Sequence, residues 1–327
     1  MRDTLLHWTA AGVLPRERLP EALRIAGVVP SASRWQAFLM RAFTWLGMAL
    51  LAAAAVCFVA ANWQALGRFA KFALVEGALA ATLAFALWRG LDTQGGRIAL
   101  FACAALMGVL LALVGQVYQT GADTVELFLA WAVAIAVWVA VGRQPALWLL
   151  WLVLLNVAVL LYFRTSVARG LGVVELLFVP RVALWSVFAL DAAALALWEI
   201  AGARFGGVAA QRLGPRVVAT AAGAVVTALA CVERLHFGHD PSPWVWLPFA
   251  AWIGALYWAY RVRTRDLYML TGMMLSVIVA IAVTLGQPLL QRNGVYGFLL
   301  VGLLLLACAA AASYWLRQVG SEDEASS

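Results

Sequence analysis

Gly115-Gln-Val-Tyr-Gln-Thr-Gly-Ala-Asp-Thr-Val-Glu126 is the most polar short connection lying between two long apolar runs, and it contains no Lys or Arg. On either side of it the chain is one apolar run after another. The runs are about 17–22 residues long, enough for a helix rising 1.5 Å per residue to cross ~30 Å of hydrocarbon. Lipid offers no partner to an unpaired N–H or C=O, so such runs must be helices. Barrel strands would need only about ten alternating residues each. The fold class is therefore all-α, a polytopic α-helical membrane bundle.

Working outward from 115–126, spans are expected at 98–117 and 125–142, and before them at 43–61 and 69–88. Toward the C-terminus they follow at 146–163, 182–201, 216–233, 244–260, 267–285 and 295–316. That makes about ten transmembrane helices, and nine or eleven would fit the same pattern. Residues 1–42 form a small cytoplasmic amphipathic helical module, 43–317 the transmembrane bundle, and 318–327 a short polar tail expected to be disordered.

Composition agrees. The 327 residues are 65% hydrophobic and 12% charged, whereas a soluble domain is nearer half apolar and a quarter charged. The net charge of +7 comes almost wholly from arginine, Lys71 being the only lysine. The basic residues are scattered through the gaps between apolar runs, which fits topology signals and lipid headgroups and argues against nucleic acid. With the N-terminus inside, sixteen of the 23 basic residues fall in inward-facing segments, including Arg261, Arg263 and Arg265. The positive-inside rule then puts both termini in the cytoplasm. Cys57, Cys103, Cys231 and Cys308 lie in four separate apolar runs with no Cys-x-x-Cys pair, as core-packing residues would. The first long apolar run begins only near residue 43, so it is expected to act as an uncleaved first span.

In the N-terminal module, Thr4–Ala11 reads as a helix stopped by Gly12. Pro15 can open a second, with Leu19, Ala22, Leu23 and Ala26 at helical spacing, although Pro20 weakens it. A helical hairpin on the membrane surface and a docking module for a partner protein are both open readings. Ser33–Arg41 resembles an interfacial helix leading into the bilayer. Gly170–Pro180 is apolar but too short to span, so a surface-lying or re-entrant helix is expected there.

Few polar residues are placed to do chemistry. Asp191 lies near mid-bilayer in the sixth span, where a carboxylate costs several kcal/mol unless paired or protonated. No basic residue lies at matching depth. Glu76 in the second span and Asn156 in the fifth complete a candidate intramembrane site, read either as a proton relay or cation site or as a neutral acid hydrogen-bonded between helices. A second candidate is an outer-face polar cluster of Asn62, Gln116, Tyr118, Gln119, Asp123 and Glu126. Its alternative is a plain structural turn, with Gly121 left-handed, Asp123 capping the next span and Glu126 reaching back. His236, His239 and Asp240 form a weak metal candidate on an irregular loop. There is no Walker-type sequence, no Gly-x-Ser-x-Gly and no His-Glu-x-x-His, and no cofactor is expected. Trp63, Trp244 and Trp246 near span ends read as aromatic-belt anchors.

Three features carry a family resemblance: Leu5-Leu-His-Trp-Thr-Ala-Ala-Gly-Val-Leu14, Ala61-Asn-Trp63, and Gly115-Gln-Val-Tyr-Gln-Thr-Gly-Ala-Asp123 followed by Leu129-Ala-Trp131. On these the chain resembles a family of bacterial membrane proteins, domain of unknown function twenty-one fifty-seven. The resemblance is specific over 1–165, with a weaker echo in Arg263-Thr-Arg-Asp-Leu-Tyr-Met-Leu270. It implies a multi-spanning protein of the bacterial inner membrane and assigns no activity or site.

Three functions compete. The first is a transporter-like or small-molecule- or lipid-binding protein with a polar site open to the outer face. The second is a scaffold or envelope sensor recruiting a partner through residues 1–42, and the third is a membrane-embedded enzyme using Asp191 or the histidine loop. A cavity reaching Asp191 would favour transport, and a solid bundle with an apolar groove on the 1–42 module would favour scaffolding.

Overall fold

The computed structural model describes residues 2–25, 32–119, 121, 123–167, 181–205, 212–235, 244 and 246–326. Among the described residues all regular structure is helical: α1 Arg2–Ala10, a 3₁₀ turn Arg16–Arg18, α2 Leu19–Ile25, α3 Ala32–Asn62, α4 Arg68–Arg89, α5 Gln94–Tyr118 and α6 Thr124–Gly142. There follow α7 Pro145–Val167, α8 Arg181–Phe205, α9 Leu213–Leu235, α10 Trp246–Tyr257 with a π-helical turn Trp258–Arg263, α11 Leu267–Asn293 and α12 Val295–Ser326. Each of the ten expected spans falls on one of these helices. Among the described residues, eight helices are long and apolar enough to cross a membrane: α4 to α9, α11 and α12. The all-α, polytopic bundle expected from the apolar runs is what the chain forms. α10 has only 12 α-helical residues. These rise ~18 Å, short of a full crossing until the π turn extends them.

The chain divides into two compact units, Met1–Lys71 and Phe72–Ser327. In the first, α1 ends where Gly12 takes φ +74, a left-handed conformation that costs glycine little. Ala11 N–H donates to the His7 carbonyl at 2.8 Å and Val13 N–H to that of Trp8 at 3.0 Å, so the last carbonyls of α1 are satisfied. Pro20 is the second residue of α2, where its missing N–H would have had no intrahelical acceptor. That is why the helix tolerates it. The expected interfacial segment 33–41 and the first span are one continuous helix, α3.

The second unit has two buried cores. One joins α4, α5, α6 and α7 around Ala86, Leu100, Ile135 and Leu147. The other joins α7 to α12 around Val226, Trp252, Tyr260, Leu270 and Met273. Close approach in the first comes from small residues facing tryptophan. A Cβ on Gly108 would collide with the Trp131 indole. That ring is held in place because its Nε1–H donates to the Ala104 carbonyl at 2.8 Å. Trp131 is one of the residues that carry the family resemblance, so the packing gives it a structural reason. Trp151 repeats the arrangement one helix on, donating to the Ala132 carbonyl at 3.0 Å. Only a stripe of each helix is buried, and large apolar side chains such as Val133, Leu197, Phe298 and Leu306 point outward. Hydrocarbon solvates such faces, whereas water would not.

Three local expectations differ from the structure. Gly121 is left-handed as expected, at φ 65, but the residue that ends α5 is Gln119, two positions earlier and itself left-handed at φ 44. Asp123 is the residue before α6, but its side chain makes no capping hydrogen bond, so the reciprocal Asp123–Glu126 cap is not formed. At the other end, α12 stays helical through Ser326, past the point at which 318–327 was expected to turn into a disordered tail. The expected re-entrant segment at 170–180 lies outside the described residues.

Candidate functional site

Asp191 and Asn156 meet. Asp191 is 2% exposed on α8, and Asn156 Nδ2 on α7 donates to its Oδ1 at 2.7 Å. The Asn156 Oδ1 is buried and has no protein partner among the described residues. The two are brought together because α7 and α8 pack side by side, with Leu152 and Leu195 in their shared core. Glu76 is elsewhere: it is exposed on α4, and among the described contacts none joins it to the pair. The structure therefore assembles two of the three intramembrane candidates.

The outer-face candidates sit at the α5–α6 turn. Gln116, Tyr118, Gln119, Asp123 and Glu126 are all exposed there. The Tyr118 ring lies 6.0 Å from that of Phe72. Gln119 is used by the backbone, since its left-handed conformation turns the chain out of α5. Asn62 is the last residue of α3, in the other unit. His236, His239 and Asp240 lie outside the described residues. Among the described residues no three His, Cys, Asp or Glu side chains gather as a metal-ligand set.

A cavity that no sequence motif marks lies between α9, α10 and α11. It is a half-open groove of about 400 Å³, lined by residues that include Gly223, Thr227, Trp252, Tyr268, Met273 and Ser276. Its α9 wall is a row of small residues four apart, Ala219, Gly223, Thr227 and Cys231. A helix with such a face cannot fill the space opposite it. Trp252, from α10, closes the back and packs edge-on against Phe188 with centroids 5.4 Å apart. Thr227 donates its hydroxyl to the Gly223 carbonyl at 2.6 Å, and Thr220 does the same to that of Arg216 at 2.7 Å. With its proton committed, the Thr220 oxygen is left to accept from the Tyr268 hydroxyl, 3.1 Å away.

Tyr268 connects the cavity to a polar network at one end of the bundle. Arg216 grips Asp266 with two nitrogens, Nε to Oδ2 at 3.2 Å and Nη2 to Oδ1 at 3.1 Å, and its guanidinium lies 5.3 Å from the Tyr268 ring centroid. Asp266 also caps α11, accepting from the N–H of Tyr268 at 3.0 Å. Beside them Arg212 pairs with Glu199 at 3.1 Å, and Tyr260 donates its hydroxyl to the same carboxylate at 2.8 Å. The π turn puts Tyr260 there: Thr264 N–H reaches the Ala259 carbonyl five residues back.

Sequence signals for these residues exist. The four-residue spacing on α9 is the small-xxx-small pattern of close helix packing. Trp252 stands mid-span, away from the interfacial belts where membrane tryptophans collect.

Residues 6–148 match the family described as Predicted membrane protein (DUF2157). The DUF2157 match covers α1 to the start of α7, a little under half of the chain, and falls within the 1–165 region on which the resemblance was read. It takes in the Gly108–Trp131 packing and the α5–α6 turn, and it stops short of Asp191 and of the cavity. No curated protein and no solved structure matches the chain. The chain is a multi-pass membrane protein in contact with the bilayer.

Proposed function

We propose that this multi-pass protein binds a small apolar molecule or a single lipid chain in a groove of its bundle. The observation that carries this reading is the 400 Å³ cavity between α9, α10 and α11, a size typical of small-molecule sites. Transport coupled to Asp191 has less support, because Asp191 is not among the residues lining that cavity. Full-length protein purified in mild detergent should retain such a molecule, detectable by solvent extraction and mass spectrometry. Gly223→Leu would fill the cavity from α9 and should lose it. Identical extracts from wild type and variant would end the proposal.

The orientation proposed with it is both termini in the cytoplasm of the inner membrane, supported by the arginine asymmetry. It sets the Arg216–Asp266 network on the cytoplasmic side and the α5–α6 turn on the outer side. Reporter fusions should read cytoplasmic after Arg317 and external after Asp123. A cytoplasmic reading at Asp123 would reverse the assignment.

The scaffold reading keeps one observation in its favour. Trp8, Val13 and Ile25 in residues 1–42 are exposed. Large apolar side chains grouped in a short module are what a partner protein would cover.

A further inference from the structure

Three tryptophans at helix contacts of the second unit differ in what their indole N–H meets. Trp131 and Trp151 each donate to a backbone carbonyl of the facing helix. Trp252 is 8% exposed, and its Nε1–H is buried with no acceptor among the described residues. Hydroxyls on the same helices show a similar contrast. Thr227 and Thr284 donate to the carbonyl four residues back, at 2.6 and 2.7 Å. Ser276, equally mid-helix, makes no such bond, and no hydrogen-bond partner for it occurs among the described residues.

Both free donors face one point. From the position a Cβ on Gly223 would occupy, Trp252 Nε1 is 3.6 Å away and Ser276 Oγ 3.8 Å. Because residue 223 is glycine, that point is open to the cavity. It is also deep. Gly223 is near the middle of α9, and Ser276 is ten residues beyond the Asp266 cap, ~15 Å along the helix. That is half of a ~30 Å core. The cavity lining contains no Asp, Glu, Lys, Arg or His.

We infer that the cavity takes a neutral, lipid-soluble molecule bearing a carbonyl oxygen, of which a quinone head is the compact form, with that oxygen accepting from Trp252 Nε1 and Ser276 Oγ above Gly223. This rests on the binding reading above and specifies its ligand. The Trp252 N–H calls for an acceptor, because a buried polar group left unpaired is costly, and the half-buried Ser276 hydroxyl offers the same acceptor a second donor. The absence of charge on the walls selects a neutral acceptor over a carboxylate or phosphate, which mid-bilayer burial would penalise. Depth separates two sources of the same carbonyl chemistry. The ester carbonyl of a phospholipid is tied to a headgroup at the interface and would drag it inward, whereas a quinone dissolved in the hydrocarbon brings its oxygen freely.

The test uses full-length protein in detergent and equilibrium dialysis of three probes: a fully substituted short-tailed benzoquinone, an alkylbenzene of matching size, and a lysophospholipid. The quinone should bind at least tenfold more tightly than the alkylbenzene. Trp252→Phe and Ser276→Ala should each weaken the quinone about five- to tenfold, the usual worth of one hydrogen bond, and leave the alkylbenzene unchanged. Gly223→Leu should abolish both. Ser276→Ala alters a half-buried position and keeps the test decisive should Trp252→Phe fail to fold. If quinone and alkylbenzene bind alike in every variant, the carbonyl assignment falls and the binding reading survives. Preference for the lysophospholipid overturns the quinone in favour of an interfacial lipid. If no probe binds, or if Gly223→Cys cross-links two chains through the groove, both readings fall.

Discussion

Asp266→Ala is expected to destabilise the bundle by about 2–3 kcal/mol, a lost helix cap added to a lost charge-assisted pair with a half-exposed arginine. The Asp266 side chain is only 2% exposed, and it serves three groups at once: the Arg216 guanidinium and the backbone N–H groups of Tyr268 and Met269. Its loss would release α9 from α11 and uncap α11 in one step, and a cap alone is worth about 1 kcal/mol. Arg216→Met should cost clearly less, roughly 1–2 kcal/mol. The Arg216 side chain is 41% exposed, so water screens part of its pairing, and Asp266 would keep both backbone donors. Asp266→Asn should fall between, since the amide oxygen can still cap but the charge is gone. Unfolding in detergent micelles, followed by near-UV circular dichroism, measures the order. If Arg216→Met proved as costly as Asp266→Ala, the carboxylate would owe its importance to the ion pair alone and the capping argument would be wrong.

These residues also mark where sequence reading ran out. Fold class and span positions were legible because hydrocarbon imposes one rule on every span, and an apolar run of the right length announces itself. Pairing across spans obeys no such rule. Arg216 and Asp266 are fifty residues apart, and each reads alone as an inward-facing loop charge. Asp266 stands in the Arg263–Leu270 stretch that resembled the family only weakly, with nothing there to name Arg216 as its partner. The Asp191–Asn156 contact was easier, because a mid-span carboxylate demands a partner and few polar groups share its depth. Glu76 met the same criterion of residue type, but its position on α4 leaves it outside the contact, and helix rotation is not written in hydropathy. The cavity was the hardest to see. It depends on what α9 lacks on one face, and four small residues in a row of fours read first as a packing seam. Trp252 would have been the better clue, since a tryptophan far from the interface has to satisfy its N–H at depth.

Asn156→Leu is expected to destabilise the protein by about 1–3 kcal/mol, the cost of leaving a buried acceptor group unmatched, and Asp191→Leu by a similar amount. The double variant Asn156→Leu/Asp191→Leu should recover most of that loss. Each single change strands one polar side chain between α7 and α8, whereas the double change replaces a hydrogen-bonded pair with apolar contact of similar size in an already apolar seam. A coupling energy of about 1 kcal/mol or more is the signature of a direct bond at 2.7 Å. If the two losses simply added, the contact would carry no stability and Asp191 would owe its burial to something else. The same cycle separates structure from chemistry. Asp191→Asn keeps the size of the side chain and an acceptor for Asn156 Nδ2, but it cannot gain or lose a proton. A purely structural Asp191 predicts near wild-type stability and ligand retention for this variant. A proton-carrying Asp191 predicts normal stability with lost pH dependence of whatever activity the bundle performs, a split that a packing role cannot produce.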